Sequence, residues 1–187
     1  MSASKLMPGT HFPNIVLPVV GCEPQVIGKT QKVDAWKLVI LYRSAFCPLG
    51  TTYLKQVQSF YEEILAGGTE VIAVSTDLKE KAELYAEENS FSFPIAYDLS
   101  EEHMKSLGLY VSEPRSASEG DRPFSEPGLF IITPEGMVQV VEISNAPFAR
   151  SDLTVIKQSL EYIKQPPDKR YDSFGTARYP IRGTHIS

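Results

Sequence analysis

At 187 residues, with 42% apolar and 22% charged side chains, the chain has the length and composition of one globular domain with a full-sized core. A net charge of −5 at pH 7, without a basic stretch to neutralise phosphates, argues against a nucleic-acid partner. No stretch approaches the roughly 18 apolar residues of a membrane helix. The start MSASKLMPGTHFPNIVLPVVG, with one lysine and with Pro13 and Pro18 interrupting it, does not read as a secretory signal, so the expected compartment is the cytoplasm.

In chain order, VVGCEPQVIG reads as a surface hairpin ahead of the main fold. After Asp34, WKLVILYRS is a continuous apolar run typical of a strand buried on both faces. In AFCPLGTTYLKQVQSFYEEILAGG, Leu49, Tyr53, Val57, Phe60 and Ile64 recur at helical steps. Pro48 suits the first helical position, and Gly67–Gly68 is a stop. TEVIAVSTD is a second buried strand, with Asp77 read as the cap of the amphipathic helix KEKAELYAEENS. FPIAYD is a short strand, and SEEHMKSLGL a helix opened by Ser100 and closed near Gly108.

YVSEPRSASEGDRPFSEPG is predicted to be loop. GLFIITPEGMVQVVEIS is a hairpin turning at Pro134–Gly136, and a last helix covers about 151–163. The order implies an α/β domain in three layers, helices on both faces of a mixed central sheet, with the N-terminal hairpin added. Residues 1–165 form that domain. Residues 166–187 are an irregular tail whose Tyr171, Phe174, Tyr179 and Ile181 are expected to dock on this subunit or a partner.

The two cysteines are Cys22 and Cys47. A structural disulfide is disfavoured in a reducing cytoplasm. Cys47 falls where a central strand passes into a helix. There, free N–H groups and the positive end of the helix dipole favour an anion, and the thiolate is the nucleophilic form. A buried structural cysteine is the plainer reading of the same residue. His11, His103 and His185 show no ligand spacing, so no metal is expected, and no glycine-rich phosphate loop or other cofactor motif follows a strand.

KLVILYRSAFCPLGTTYLKQ, GGTEVIAVSTD, SFPIAYDLS and EPGLFIITPEG, in that order and spacing, resemble the alkyl hydroperoxide reductase/thiol-specific antioxidant branch of the thioredoxin-fold superfamily, over roughly residues 8–165. The resemblance implies a thioredoxin-like fold and a peroxide-reducing Cys47, with Ser44 in the hydroxyl position of Pro-x-x-x-Thr/Ser-x-x-Cys. Ile40 stands in the proline position of that motif. Pro127 stands where the family's strand arginine usually lies, and instead matches the cis-proline of thioredoxin-like members. A cis Glu126–Pro127 bond beside Cys47 is therefore expected. Arg43, Arg115 and Arg122 are the candidate cations for thiolate or peroxide, and Tyr42 a candidate hydroxyl.

Cys47-Pro48-Leu49-Gly50 lacks the second sulfur of Cys-x-x-Cys, and Cys22, the one other thiol, is either a resolving partner for an oxidised Cys47 or, the plainer reading, an incidental turn residue. The implied activity is peroxide reduction by one cysteine with an external thiol such as thioredoxin or glutathione as reductant; a homodimer is a compatible assembly. A one-cysteine disulfide exchanger and a redox-inactive binding module are the alternatives.

Overall fold

The computed structural model describes residues 6–165. The expected tail, residues 166–187, lies outside the described residues. The first strands, β1 (Val16–Val19) and β2 (Cys22–Val26), form a hairpin turning at Gly21, whose φ of +67° favours glycine. The hairpin is at the surface as expected, with Cys22, Glu23 and Pro24 exposed, but it does not stand ahead of the main fold. The hairpin is the edge of the main sheet, because β1 pairs with β5 through Val19 and Ala96. Three of its inward residues explain why: Leu17, Val19 and Ile27 are buried in the same core as the central strands.

β3 (Trp36–Leu41), α1 (Pro48–Ala66), β4 (Thr69–Val74), α2 (Lys79–Asn89), β5 (Ile95–Ala96) and α3 (Glu101–Ser106) follow as expected. The segment predicted as loop carries two short strands, β6 (Val111–Ser112) and β7 (Phe124–Ser125), paired antiparallel with each other. Two-residue strands are too short for any hydrophobic period to announce them. β8 (Gly128–Ile132), β9 (Val138–Ile143) and α4 (Leu153–Ile163) complete the chain.

The sheet has seven strands in the order β2-β1-β5-β4-β3-β8-β9. β3 is parallel to β4 and antiparallel to β8, so it has hydrogen-bonded neighbours on both sides. Ile40 sits opposite both Ala73 and Leu129. A proline at that place would remove an N–H from the ladder, which accounts for an apolar, donor-bearing residue there.

Alternation along the strands divides the core. Leu38, Ile40 and Tyr42 face α1, α2 and α4 through Tyr53, Leu54, Val57, Tyr85, Ile156 and Leu160. Val39, Leu41, Ile72 and Val74 face the opposite side, covered by α3 through Met104 and by the N-terminal segment through Phe12 and Ile15. The three layers are thus unequal, three helices against one short helix and an irregular strap. On α1 the expected face is buried at Tyr53, Val57 and Ile64 and partly buried at Phe60, whereas Leu49 is 48% exposed and Leu54 joins the core instead.

Candidate active site

Cys47 is the N-cap of α1, with an extended backbone (φ −90°, ψ 106°) and Pro48 at the first helical position. Its N–H is held by the Ser44 carbonyl at 3.1 Å, and its own carbonyl accepts from the Thr51 N–H at 3.0 Å. The turn between β3 and α1 is therefore closed by backbone bonds, and the thiol is aimed inward, 2% exposed. No side chain caps the helix, that of Cys47 included.

Two guanidiniums approach it. Arg43 Nη1 lies 3.9 Å from Cys47 Sγ, and Arg43 also forms an ion pair with Glu126, Nε to Oε2 at 3.2 Å. The Arg43 guanidinium packs over the rings of Phe46 and Phe124, with centroid distances of 5.3 and 4.7 Å. Arg150 arrives from the turn before α4. Its Nε donates to the Pro147 carbonyl at 3.0 Å, and its guanidinium covers the Tyr53 ring at 5.2 Å. Ser151, the next residue, is tied to Glu142 on β9 by both its N–H and its hydroxyl, which anchors the segment.

Arg150 Nη2 and Cys47 Sγ both lie beside Gly50. A Cβ at Gly50 would lie 3.6 Å from Arg150 Nη2 and 3.8 Å from Cys47 Sγ. Arg150 Nη2 is buried and has no hydrogen-bond acceptor among the described residues. Burial lowers the Arg150 pKa from its ordinary value, opposed by the charge of Cys47. The neighbouring Tyr85, which hydrogen-bonds Thr51 at 2.9 Å, is pushed up to about 12, chiefly by burial and partly by the charges of Asp77 and Cys47. Tyr53 is raised as well, by burial first and then by Glu142. These phenols are neutral donors at ordinary pH.

Ser44 occupies a different network. Its hydroxyl is bonded to the carboxylate of Asp77 and accepts from Lys81 Nζ at 2.7 Å. Asp77 does not cap α2 as its position in the sequence suggests; the N-cap is Leu78. The buried Asp77 carboxylate instead gathers Ser44, the Ala45 N–H, Ser75 and Lys81. It pins the β3–α1 turn to the end of β4. With its one proton committed to Asp77, Ser44 holds this turn in shape. The other face of Ser44 borders a cavity of about 530 Å³ lined by Asp77, Lys81, Arg122 and Phe124 among others, but not by Cys47.

The remaining expected residues fall elsewhere. Arg115 is 81% exposed and bound to Glu119, while Arg122 pairs with Asp98 at 3.0 Å on the cavity rim. Tyr42 is fully buried and stacks on Tyr85. The Glu126–Pro127 bond is trans, as are all peptide bonds among the described residues. The reason lies in its flanks: the Glu126 N–H donates to the Tyr110 carbonyl and the Pro127 carbonyl accepts from Ser144, which keeps the chain extended from β7 into β8. Cys22 is exposed on β2, four inter-strand steps from β3. At about 4.8 Å per step that is about 19 Å, far beyond the roughly 7 Å that a disulfide spans between Cα atoms.

Residues 8–141 match the AhpC/TSA family. The chain belongs to that family. The similarity extends to alkyl hydroperoxide reductase C of Amphibacillus xylanus, 26% identical over 134 residues, covering 71% of this chain and 69% of that protein. The chloroplastic 2-Cys peroxiredoxin BAS1 of Hordeum vulgare is 29% identical, over 71% of this chain and 64% of that protein.

Among solved structures, this AhpC/TSA protein resembles a cysteine-to-serine mutant of peroxiredoxin 6 of Arenicola marina, with a TM-score of 0.73 at 19% identity, covering 84% of this chain and 73% of the other. It also resembles Mycobacterium tuberculosis AhpC, with a TM-score of 0.68 at 16% identity, covering 86% and 94%. These likenesses establish the fold: a mixed sheet and helices of the peroxiredoxin type.

Within this AhpC/TSA site, Arg150 and Glu126 are members that the sequence does not announce. Arg150 stands about a hundred positions from Cys47 in SNAPFARSD, and the one local signal is its place two residues before the Asp152 N-cap of α4, where a side chain can turn back toward α1. Among the described residues no helix is long and apolar enough to cross a membrane.

Proposed function

We propose that this chain is a thiol peroxidase in which Cys47 is the peroxidatic residue and the reductant comes from outside the chain. The observation that carries the reading is the buried Arg150 Nη2, without an acceptor, which lies beside Gly50 as the Cys47 sulfur does. A buried charged donor without a partner is costly, and a peroxide oxygen placed between it and the sulfur supplies the acceptor.

The thiolate attacks one peroxide oxygen; the S–O bond forms as the O–O bond breaks. The departing alkoxide or hydroxide takes up a proton, leaving a sulfenic acid and an alcohol or water. Arg43 and Arg150 stabilise the negative charge that moves from sulfur to the leaving oxygen. One external thiol then condenses with the sulfenic acid, releasing water and forming a mixed disulfide. A second thiol displaces Cys47 and leaves as the oxidised reductant.

The distance to Cys22 supports an external reductant, of the thioredoxin or glutathione kind that a reducing cytoplasm supplies. The test is stopped-flow mixing of the reduced protein with hydrogen peroxide and with an organic hydroperoxide, followed by mass detection at Cys47. Rapid sulfenic acid formation, lost in Cys47→Ser and kept in Cys22→Ser, is expected. A glutathione adduct at Cys47 without peroxide consumption would make the protein a disulfide exchanger instead.

A further inference from the structure

The antiparallel register of β3 and β8 sets Val39 opposite Phe130, Ile40 opposite Leu129 and Leu41 opposite Gly128. Continued two residues beyond the ladder, the same register sets Arg43 opposite Glu126. Both are largely buried, Arg43 at 9% and Glu126 at 4% exposure. Glu126 Oε1 accepts from the Ser112 hydroxyl at 2.7 Å, and Oε2 faces Arg43 Nε at 3.2 Å as an ion pair without hydrogen-bond alignment. Phe46 and Phe124, themselves in edge contact, flank the guanidinium.

We infer that Glu126 is the positioning residue of Arg43: it ion-pairs Nε across the β3–β8 junction and so turns Nη1 toward Cys47. The inference rests on the reading of Cys47 as a reactive thiolate.

A carboxylate this near a thiolate opposes ionisation by charge alone. If Glu126 favours the thiolate, it does so by orienting Arg43, and this sign separates the two roles. The groups that face Cys47 are Arg43 from the end of β3, Arg150 from the turn before α4, and Tyr85 from α2. Glu126 reaches it through Arg43.

The test uses the full chain carrying Cys22→Ser, so that Cys47 is the one thiol. Thiolate ultraviolet absorbance is followed against pH, with the Cys47→Ser protein subtracted. Glu126→Leu is expected to raise the midpoint by about half a unit to one unit, a roughly three- to ten-fold loss of thiolate below the midpoint. Glu126→Gln keeps an oxygen for Arg43 and removes the opposing charge, so its midpoint stays at or below that of the parent. A purely structural Glu126 would lower melting temperature in both variants without moving either midpoint. A purely electrostatic one would lower both.

Either pattern overturns the inference. If Glu126→Leu does not fold, Ser112→Ala decides: freeing the other carboxylate oxygen raises the midpoint if Glu126 positions Arg43, and an unchanged or lowered midpoint overturns it. The titration involves no peroxide. A protein that follows the expected pattern yet consumes no peroxide leaves Glu126 in its role and removes the peroxidase reading alone.

Discussion

Gly50→Ala sets stability against activity at a single methyl group. Gly50 is the third residue of α1 and is buried. The added Cβ would lie 3.6 Å from Arg150 Nη2, 3.7 Å from Cys47 Cβ and 3.8 Å from Cys47 Sγ, all ordinary van der Waals contacts. The methyl therefore fits without backbone movement. Replacing glycine by alanine at a helical position stabilises by about 0.5–1 kcal/mol, mainly through the unfolded chain. For a domain of this size that is a rise in melting temperature of about 1–4 °C.

The same methyl fills the space between sulfur and guanidinium that the peroxide oxygens are proposed to enter. Losing one hydrogen bond to a charged donor there costs about 1.5–3 kcal/mol, or roughly a ten- to hundred-fold slower peroxide step. Calorimetry and stopped-flow oxidation on one preparation check both arms. A variant that melts higher and reacts at the parental rate would show that peroxide does not pass over Gly50. One that melts lower would show that the contact distances do not permit the methyl.

Arg150→Met removes the cation with little loss of chain volume, and should slow sulfenic acid formation roughly ten- to a hundred-fold while leaving the far-ultraviolet spectrum unchanged. Ser44→Ala breaks the link to Asp77 and Lys81 and should cost about 1–3 kcal/mol in urea unfolding, with a smaller effect on the peroxide rate than Arg150→Met. A bulky maleimide should label exposed Cys22 before buried Cys47, whereas limiting hydrogen peroxide should oxidise Cys47 first; peptide mass mapping reads both orders. Burial opposes the charge of Glu70, but the N–H groups of Gln31 and Lys32 and the buried Lys37 ammonium outweigh it and hold its pKa below the ordinary 4.5. The stabilisation is complete above that ordinary value and is lost as pH falls through the lower folded value. Glu70→Gln should flatten the acid limb of unfolding, and Glu70→Ala, which strands Lys37, should cost about 3–5 kcal/mol, both read from urea unfolding against pH.

Much of the frame was legible because it depends on local pattern. The run WKLVILYRS, the Pro48 start and the Gly67–Gly68 stop are each dictated by residues within a few positions. They place Cys47 at the mouth of α1 before any tertiary contact is known. What could not be read depends on partners distant in sequence. Asp77 carries the composition of a helix cap, yet its carboxylate turns inward because Ser44 and the Ala45 N–H lie within reach across the β3–β4 edge. Arg43 and Arg115 look alike as arginines beside turns. One is buried between two phenylalanine rings and the other lies in solvent, a difference set by where Phe46 and Phe124 meet. The trans bond at Pro127 likewise follows from its neighbours at Ser144, just past β9, and at Tyr110, which no local motif encodes.

The 2% exposure of Cys47 acts as a sieve on the proposed cycle. A peroxide is small enough to slip past the helix mouth. An incoming sulfur must instead line up with the bond it breaks, carrying its whole parent molecule with it. Thus the oxidising half-reaction can run on the closed protein, whereas a protein reductant needs the first turn of α1 to loosen. That turn is a weak one: Pro48 and Leu49 face solvent, and no side chain caps it. The two halves of the catalytic cycle would then answer to different variables, the first to oxidant concentration and the second to how often one helical turn comes undone.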